Sequence, residues 1–144
     1  MTTMEKAPNA YENAPVPVRV RLAALWAAVM FLYVYVDIFY FYKPGTIDDI
    51  LVGRVWQFEI TQAWLAGCLM LMVVPSLMVA LSVTLPARIA RWTNVVVGGL
   101  FIPVTLFNPI GEPWVFLWIG AAIEVAVLAV ILRYAWTWPR QSRA

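Results

Sequence analysis

Four runs of this chain are too long and too apolar to sit on the surface of a water-soluble protein: Leu22 to Tyr42, Thr61 to Leu85, Trp92 to Phe107 and Trp114 to Trp136. A hydrocarbon core about 30 Å thick is crossed by roughly 20 apolar residues in a helix, and all four runs approach or exceed that length. The third is the shortest and holds Pro103, so it must tilt little, recruit neighbours such as Asn108, or meet a thinner bilayer. With 144 residues, 12% of them charged, and a mean hydropathy of +0.79, the chain cannot cover itself with a polar exterior. The expected fold class is all-α: an integral membrane, up-down four-helix bundle. A polar tail is expected over residues 1–19, the four-span domain over residues 20–139, and a basic tail over residues 140–144.

The ten Lys and Arg residues are distributed unevenly about those spans. Lys6, Arg19 and Arg21 precede the first, Arg88 and Arg91 fill the turn between the second and third, and Arg133, Arg140 and Arg143 close the chain. Lys43 and Arg54 alone fall on the other side. By the positive-inside rule this places both termini in the cytoplasm, as an even number of spans requires, and the expected location is a bacterial inner membrane. Aromatic residues mark both interfaces in the same reading, with Trp26, Trp92, Tyr134, Trp136 and Trp138 on the inner side and Tyr42, Trp56, Trp64, Trp114 and Trp118 on the outer. Some of these rings are equally suited to core packing. The first apolar run exceeds the usual length of a cleavable signal and reads as a retained span.

Missing residue types exclude several chemistries. The chain has no histidine, which removes Ser/His/Asp and Cys/His catalysis, His-ligated zinc and the usual proximal haem ligand. Cys68 is the single cysteine, and its Ala-Gly-Cys-Leu-Met setting favours inert packing. Gly98-Gly99 lacks the flanking residues of a phosphate loop and reads as a point of close helix approach. No basic run fits nucleic acid, which is rejected as a partner. No cofactor is expected.

The connection from Lys43 to Ile60 is the longest. Pro44-Gly45 makes a turn, and Thr46-Ile47-Asp48-Asp49 resembles a capping box that starts a short helix. Ile47, Ile50, Leu51, Val55 and Phe58 then recur near helical spacing, giving a stripe that lies on the outer membrane surface or caps the bundle. Small residues four apart, Ala23 with Ala27, Ala24 with Ala28, and Ala122 with Ala126, offer faces for helix contact. Pro75 frees a carbonyl in the second span, and Ser76 is placed to compensate.

Two carboxylates lie within the apolar runs, Asp37 in the first and Glu124 in the fourth. At 1.5 Å per residue, Asp37 is roughly 22 Å from Leu22 and Glu124 roughly 18 Å from Trp136, so the two share nearly one level. Arg133 is about 13 Å from Glu124 along the axis, too far for a direct pair. Without a cation, desolvation and mutual repulsion favour at least one neutral acid at pH 7. Tyr33 and Tyr40 flank Asp37 on one helix face, and Gly120 leaves room beside Glu124. The candidate ligand or proton site is therefore Asp37, Glu124, Tyr33, Tyr40, Gln62 and Ser76. The alternatives are that the two acids act as interhelical hydrogen-bonding glue or dock a partner.

The segments Tyr33-Val34-Tyr35-Val36-Asp37, Tyr42-Lys43-Pro44-Gly45, Ile60-Thr61-Gln62, Pro75-Ser76-Leu77-Met78, Arg91-Trp92-Thr93-Asn94 and Tyr134-Ala135-Trp136-Thr137-Trp138-Pro139 resemble a family of small four-span bacterial membrane proteins of unknown function. The resemblance covers about residues 20–139. It implies a fold and a bacterial membrane, and no activity.

Two functions fit these features. One is a proton-linked transporter or small-ligand-binding bundle, with pairing into a homodimer enlarging a small interior. The other is a non-catalytic accessory subunit packed against a larger membrane complex. No nucleophile and base pair can be assembled, so an enzyme is the least supported class.

Overall fold

In the computed structural model, which describes residues 15–138, the chain folds as five helices and one two-stranded ribbon. Four helices are long and apolar enough to cross a membrane: α1 (Val18–Phe41), α3 (Gln62–Thr84), α4 (Ala87–Phe107) and α5 (Val115–Trp136). Between the first two lie α2 (Thr46–Leu51), β1 (Arg54–Val55) and β2 (Phe58–Glu59). Of the expected tails, residues 1–14 of the first and all of residues 140–144 lie outside the described residues, while Val18 and Arg19, expected in the first tail, already belong to α1.

Side-chain contacts fix the directions of the helices. Arg19 at the start of α1 donates to the Val83 carbonyl at the end of α3, so those two run antiparallel. Arg91 near the start of α4 donates to the Ala135 and Trp136 carbonyls at the end of α5, so those two do as well. The backbones pack in the order α3, α1, α5, α4, with the seam from α4 back to α3 the loosest. The chain is thus a bundle with one end formed by the start of α1, the α3–α4 turn and the end of α5. We call this the tail end, and the opposite one the hairpin end.

Two helices begin earlier than hydropathy alone indicates, for one reason. Pro17 and Pro86 occupy the N-cap positions of α1 and α4, where proline's fixed φ suits the entry to a helix. Arg19, Arg21, Arg88 and Arg91 therefore stand in first or second turns, and the α3–α4 turn is correspondingly short. Hydropathy windows stop at such residues, yet each helix C-terminus leaves four carbonyls without an intrahelical partner. Arg19 and Arg91 satisfy three of them on neighbouring helices. With these added turns α4 spans 21 residues, so the third span is not short and no thinned bilayer is needed.

The core is built around α1. Leu22, Trp26, Val29 and Tyr33 form its inward stripe and meet Met78, Phe101, Leu128 and Ile131 from the other three long helices. Trp26 is completely buried and stacks edge-on with Phe101, so it belongs to the core and not to an interfacial belt. Trp92 and Trp136 do pair on the surface of the tail end, flanking Arg91. Of the small-residue pairs, Ala122 and Ala126 are exposed and take no part in helix contact.

The long connection departs from expectation. A helix does start at Thr46, but Gly45 with φ 86 is its cap, no side chain caps it, and the Thr46 hydroxyl is buried without a partner. The helix ends at Leu51, followed by Gly53 with φ 81. Val55 and Phe58, expected to continue the helical stripe, face each other instead across an antiparallel ribbon closed by Trp56 and Gln57. Their spacing fits either structure, and the left-handed glycine decides for the turn.

Ser76 also differs in detail. Pro75 cannot donate to the Leu71 carbonyl, whereas the Ser76 hydroxyl donates to the carbonyl of Met72, one residue further on. This is the ordinary back-bond of a helical serine.

Close approach is concentrated at Gly120, where an added Cβ would stand 2.7 Å from Val36 Cγ2 on α1. Gly98 gives a milder contact with Leu132 at 3.3 Å, while Gly67 and Gly99 face open space. Gly120→Ala should therefore destabilise the bundle by about 1–3 kcal/mol through overpacking against a β-branched side chain. Gly67→Ala should be neutral, or stabilising by up to about 1 kcal/mol through helix propensity. Reversible unfolding in mixed micelles measures both, and equal effects would contradict this account of the α1–α5 contact.

Candidate functional site

Polar groups inside the bundle separate into two populations. Near the tail end, Asn94 of α4 accepts hydrogen bonds from Trp26 Nε1 at 2.7 Å and from the Ser82 hydroxyl at 3.2 Å, while its amide donates to the Ala90 carbonyl. That knot joins α1, α3 and α4 across the bundle centre. Further along, the Tyr33 hydroxyl and Thr105 Oγ1 are 2.6 Å apart. These groups are buried and satisfied, and their function is to hold the helices.

The hairpin end is organised differently. A cavity of about 600 Å³ lies there, walled by α1, α3, α4 and α5 and roofed by the 46–60 connection. Its wall includes Asp37 and Tyr40 from α1, Trp64, Cys68 and Met72 from α3, and Phe107 from α4, with Ile50, Val55, Trp56 and Phe58 above. Thr61 positions the α3 wall by accepting a hydrogen bond from the Trp64 N–H, a side-chain N-cap. Four rings form a continuous arc, with Trp56 5.9 Å from Phe107, Phe58 5.7 Å from Trp56, and Trp64 6.4 Å from Phe58. Trp56 reaches this place from φ 52, a left-handed conformation rare for a bulky residue. Its indole lies over the position of Gly111 in the α4–α5 connection.

Asp37 opens to this cavity and, among the described residues, has no hydrogen-bond or ion-pair partner. Glu124 lies behind the wall on α5, only 2% exposed, with Oε1 unpartnered. It is within Coulomb range of both Asp37 and Tyr33. The structure thus brings the two carboxylates together at one level, but their surroundings differ, one on a cavity and one sealed. The tyrosines do not serve Asp37 in the expected way. Tyr33 bonds to Thr105, and the Tyr40 hydroxyl donates to Glu112 at 2.9 Å. Tyr40 lines the cavity, whereas Gln62 begins α3 outside its wall and Ser76 faces Met30 one turn below.

A second charged group went unrecognised in the sequence. Lys43, just past α1, reaches both carboxylate oxygens of Glu112 at 2.7 Å, and its ammonium lies 4.6 Å from the centre of the Tyr40 ring. The available signal was that two opposite charges border different spans on the same side. Asn94 carries a similar signal in the sequence, since an amide within an apolar run requires a partner. Among the described residues, no group of three or more Cys, Asp or Glu is placed to hold a metal ion.

Burial works against the Lys43 charge, but hydrogen bonds from the ammonium to Glu112 and Tyr40 outweigh it and hold its pKa above the ordinary lysine value. A pKa raised by folding contributes stability in full below the unfolded value and loses it as pH rises through the folded one. The clamp should therefore be unaffected from neutral pH to about pH 9.5 and weaken above about pH 10.5, where free lysine titrates. Glu112→Gln should flatten that alkaline slope when unfolding is followed against pH, and an unchanged slope would remove the clamp's role.

No curated protein and no solved structure was found to match the chain. It matches the model of a family of unknown function, DUF6326, over residues 17–144. That span takes in every long helix and both carboxylates, and the chain belongs to this family.

Proposed function

We propose that the protein is a membrane-embedded small-ligand-binding bundle, with the cavity at the hairpin end as its site. Asp37 is the polar anchor, and Glu124 is the second carboxyl group that a proton-linked transport step would use. The observation that carries this reading is an apolar, ring-lined cavity of about 600 Å³ with an unpaired carboxylate in its wall. That volume lies within the range of small-molecule sites, roughly 300–1,000 Å³, which combine apolar walls with few polar groups. Interhelical glue is supported less, because neither acid is hydrogen-bonded to a neighbouring helix while Asn94, Tyr33 and Thr105 are. The exposed apolar face of α3, including Leu65, Leu69 and Leu77, is what lipid tails require, so it does not favour a protein partner.

An uncharged aromatic probe such as N-phenylnaphthylamine should quench tryptophan emission saturably in protein reconstituted in lipid nanodiscs. Cys68→Trp, which places an indole in the cavity wall, should reduce that uptake at least tenfold. Equal uptake by both proteins would overturn the reading.

The proposed orientation places the tail end in the cytoplasm. It is supported by Arg19, Arg21, Arg88, Arg91 and Arg133 clustering there, against Lys43 and Arg54 at the hairpin end. In a Cys68→Ala background, Gln57→Cys at the exposed ribbon tip should react with a membrane-impermeant maleimide added outside intact bacterial cells expressing the protein. Labelling only after the membrane is opened would reverse the orientation.

A further inference from the structure

We infer that the ligand of this cavity is a monovalent organic cation with an aromatic or branched apolar body. The inference rests on the binding-site reading above and adds the charge of the ligand.

The cavity neighbourhood is charge-unbalanced. Asp37 and Glu112 stand in the wall and Glu124 lies behind it. The cation that meets a carboxylate here is Lys43, and both oxygens of Glu112 already engage it. Glu124, sealed in the bundle, and Asp37, exposed on the open side of the cavity, thus lie within Coulomb range of each other with no side-chain cation among the described residues to offset them. A carboxylate in such surroundings is costly as an anion unless paired. A bound cation supplies that partner, an uncharged ligand leaves the cost in place, and an anion adds to it.

The same end of the bundle also shows how it holds a positive charge. The Lys43 ammonium is gripped by a carboxylate on one side and the Tyr40 ring on the other. Asp37 and the arc of Phe107, Trp56, Phe58 and Trp64 repeat that combination on a larger scale. Aromatic faces attract cations most strongly where water is excluded. One unpaired carboxylate in the wall matches one positive charge, and the volume accommodates a body much larger than an inorganic ion.

The test uses the reconstituted full chain and three probes of similar shape: tetraphenylphosphonium, uncharged triphenylphosphine oxide and tetraphenylborate. Binding is read by tryptophan quenching and corrected with protein-free nanodiscs. Tetraphenylphosphonium should bind at least tenfold more tightly than the oxide, and the borate, titrated separately, should bind no more tightly than the oxide. Asp37→Asn should bring the cation to within about threefold of the oxide while leaving the oxide unchanged, and Asp37→Glu should restore most of the preference.

If the oxide binds the parent as tightly as the cation, and both are lost in Cys68→Trp, the cavity reading stands and the inference about charge is overturned. A cation preference that survives Asp37→Asn overturns it as well. If none of the three probes binds, and N-phenylnaphthylamine does not, the site itself is refuted. If Asp37→Asn does not fold, the comparison of cation with oxide in the parent decides.

Discussion

A polar group carried into hydrocarbon cannot turn to water for its hydrogen bonds, so it must find them within the protein. Most of this bundle can be understood from that requirement. Asn94 spends its carbonyl on Trp26 and Ser82 and one amide hydrogen on its own helix, locking three helices with one side chain. Thr84 and Thr93 bond back to the preceding turn and ask nothing of their neighbours. The arginines at the tail end obey the same constraint from the other direction, closing carbonyls that adjacent helices leave open. Against that background, the sealed Glu124, with Oε1 unpartnered, stands out from the rest of the interior, and the exposed Asp37 lies within Coulomb range of it.

The buried polar bonds between long helices lie toward the tail end and the middle of the bundle, whereas the open volume lies at the hairpin end, beside the Lys43–Glu112–Tyr40 clamp. From Arg19 and Trp26 to Tyr33, α1 is joined to its neighbours by hydrogen bonds and by the Leu22, Val29, Leu128 and Ile131 cluster. Beyond Val36 the links change character. Gly120 lets α5 touch α1, Lys43 binds Glu112, and α3 contributes chiefly aromatic and sulfur-bearing side chains to a wall. An extended polar network would itself fill space and satisfy Asp37, so the site depends on the hairpin end having few such bonds.

Hydropathy read from the sequence located all four long helices, because length and apolar content alone identify them. Its errors were local. It set the start of the first span at Leu22 and of the third at Trp92, because Arg19, Arg21, Arg88 and Arg91 look like loop residues until a neighbouring helix end supplies their acceptors. Trp26 was indistinguishable from an interfacial tryptophan, since the indole that suits a headgroup also suits a buried amide. Helical rise gave Asp37 and Glu124 nearly one level, and the packing of α1 against α5 is what brings them within Coulomb range. The cavity did not, since it depends on Trp56 folding back at a positive φ and on how far α3 stands from α4. No local pattern encodes either feature.

The fastening of α3 has a mechanical consequence. Ser82 and Val83 moor it to Asn94 and Arg19 at one extremity, whereas its opposite half has no polar tether to α4 among the described residues. A rod pinned at one end and held elsewhere by nonspecific apolar contact pivots more readily than it slides. A small tilt of α3 would widen the gap beside Trp64 while the moorings near Ser82 stay intact, so on the proposed binding-site reading guests of different girth would be admitted without loosening the rest of the assembly.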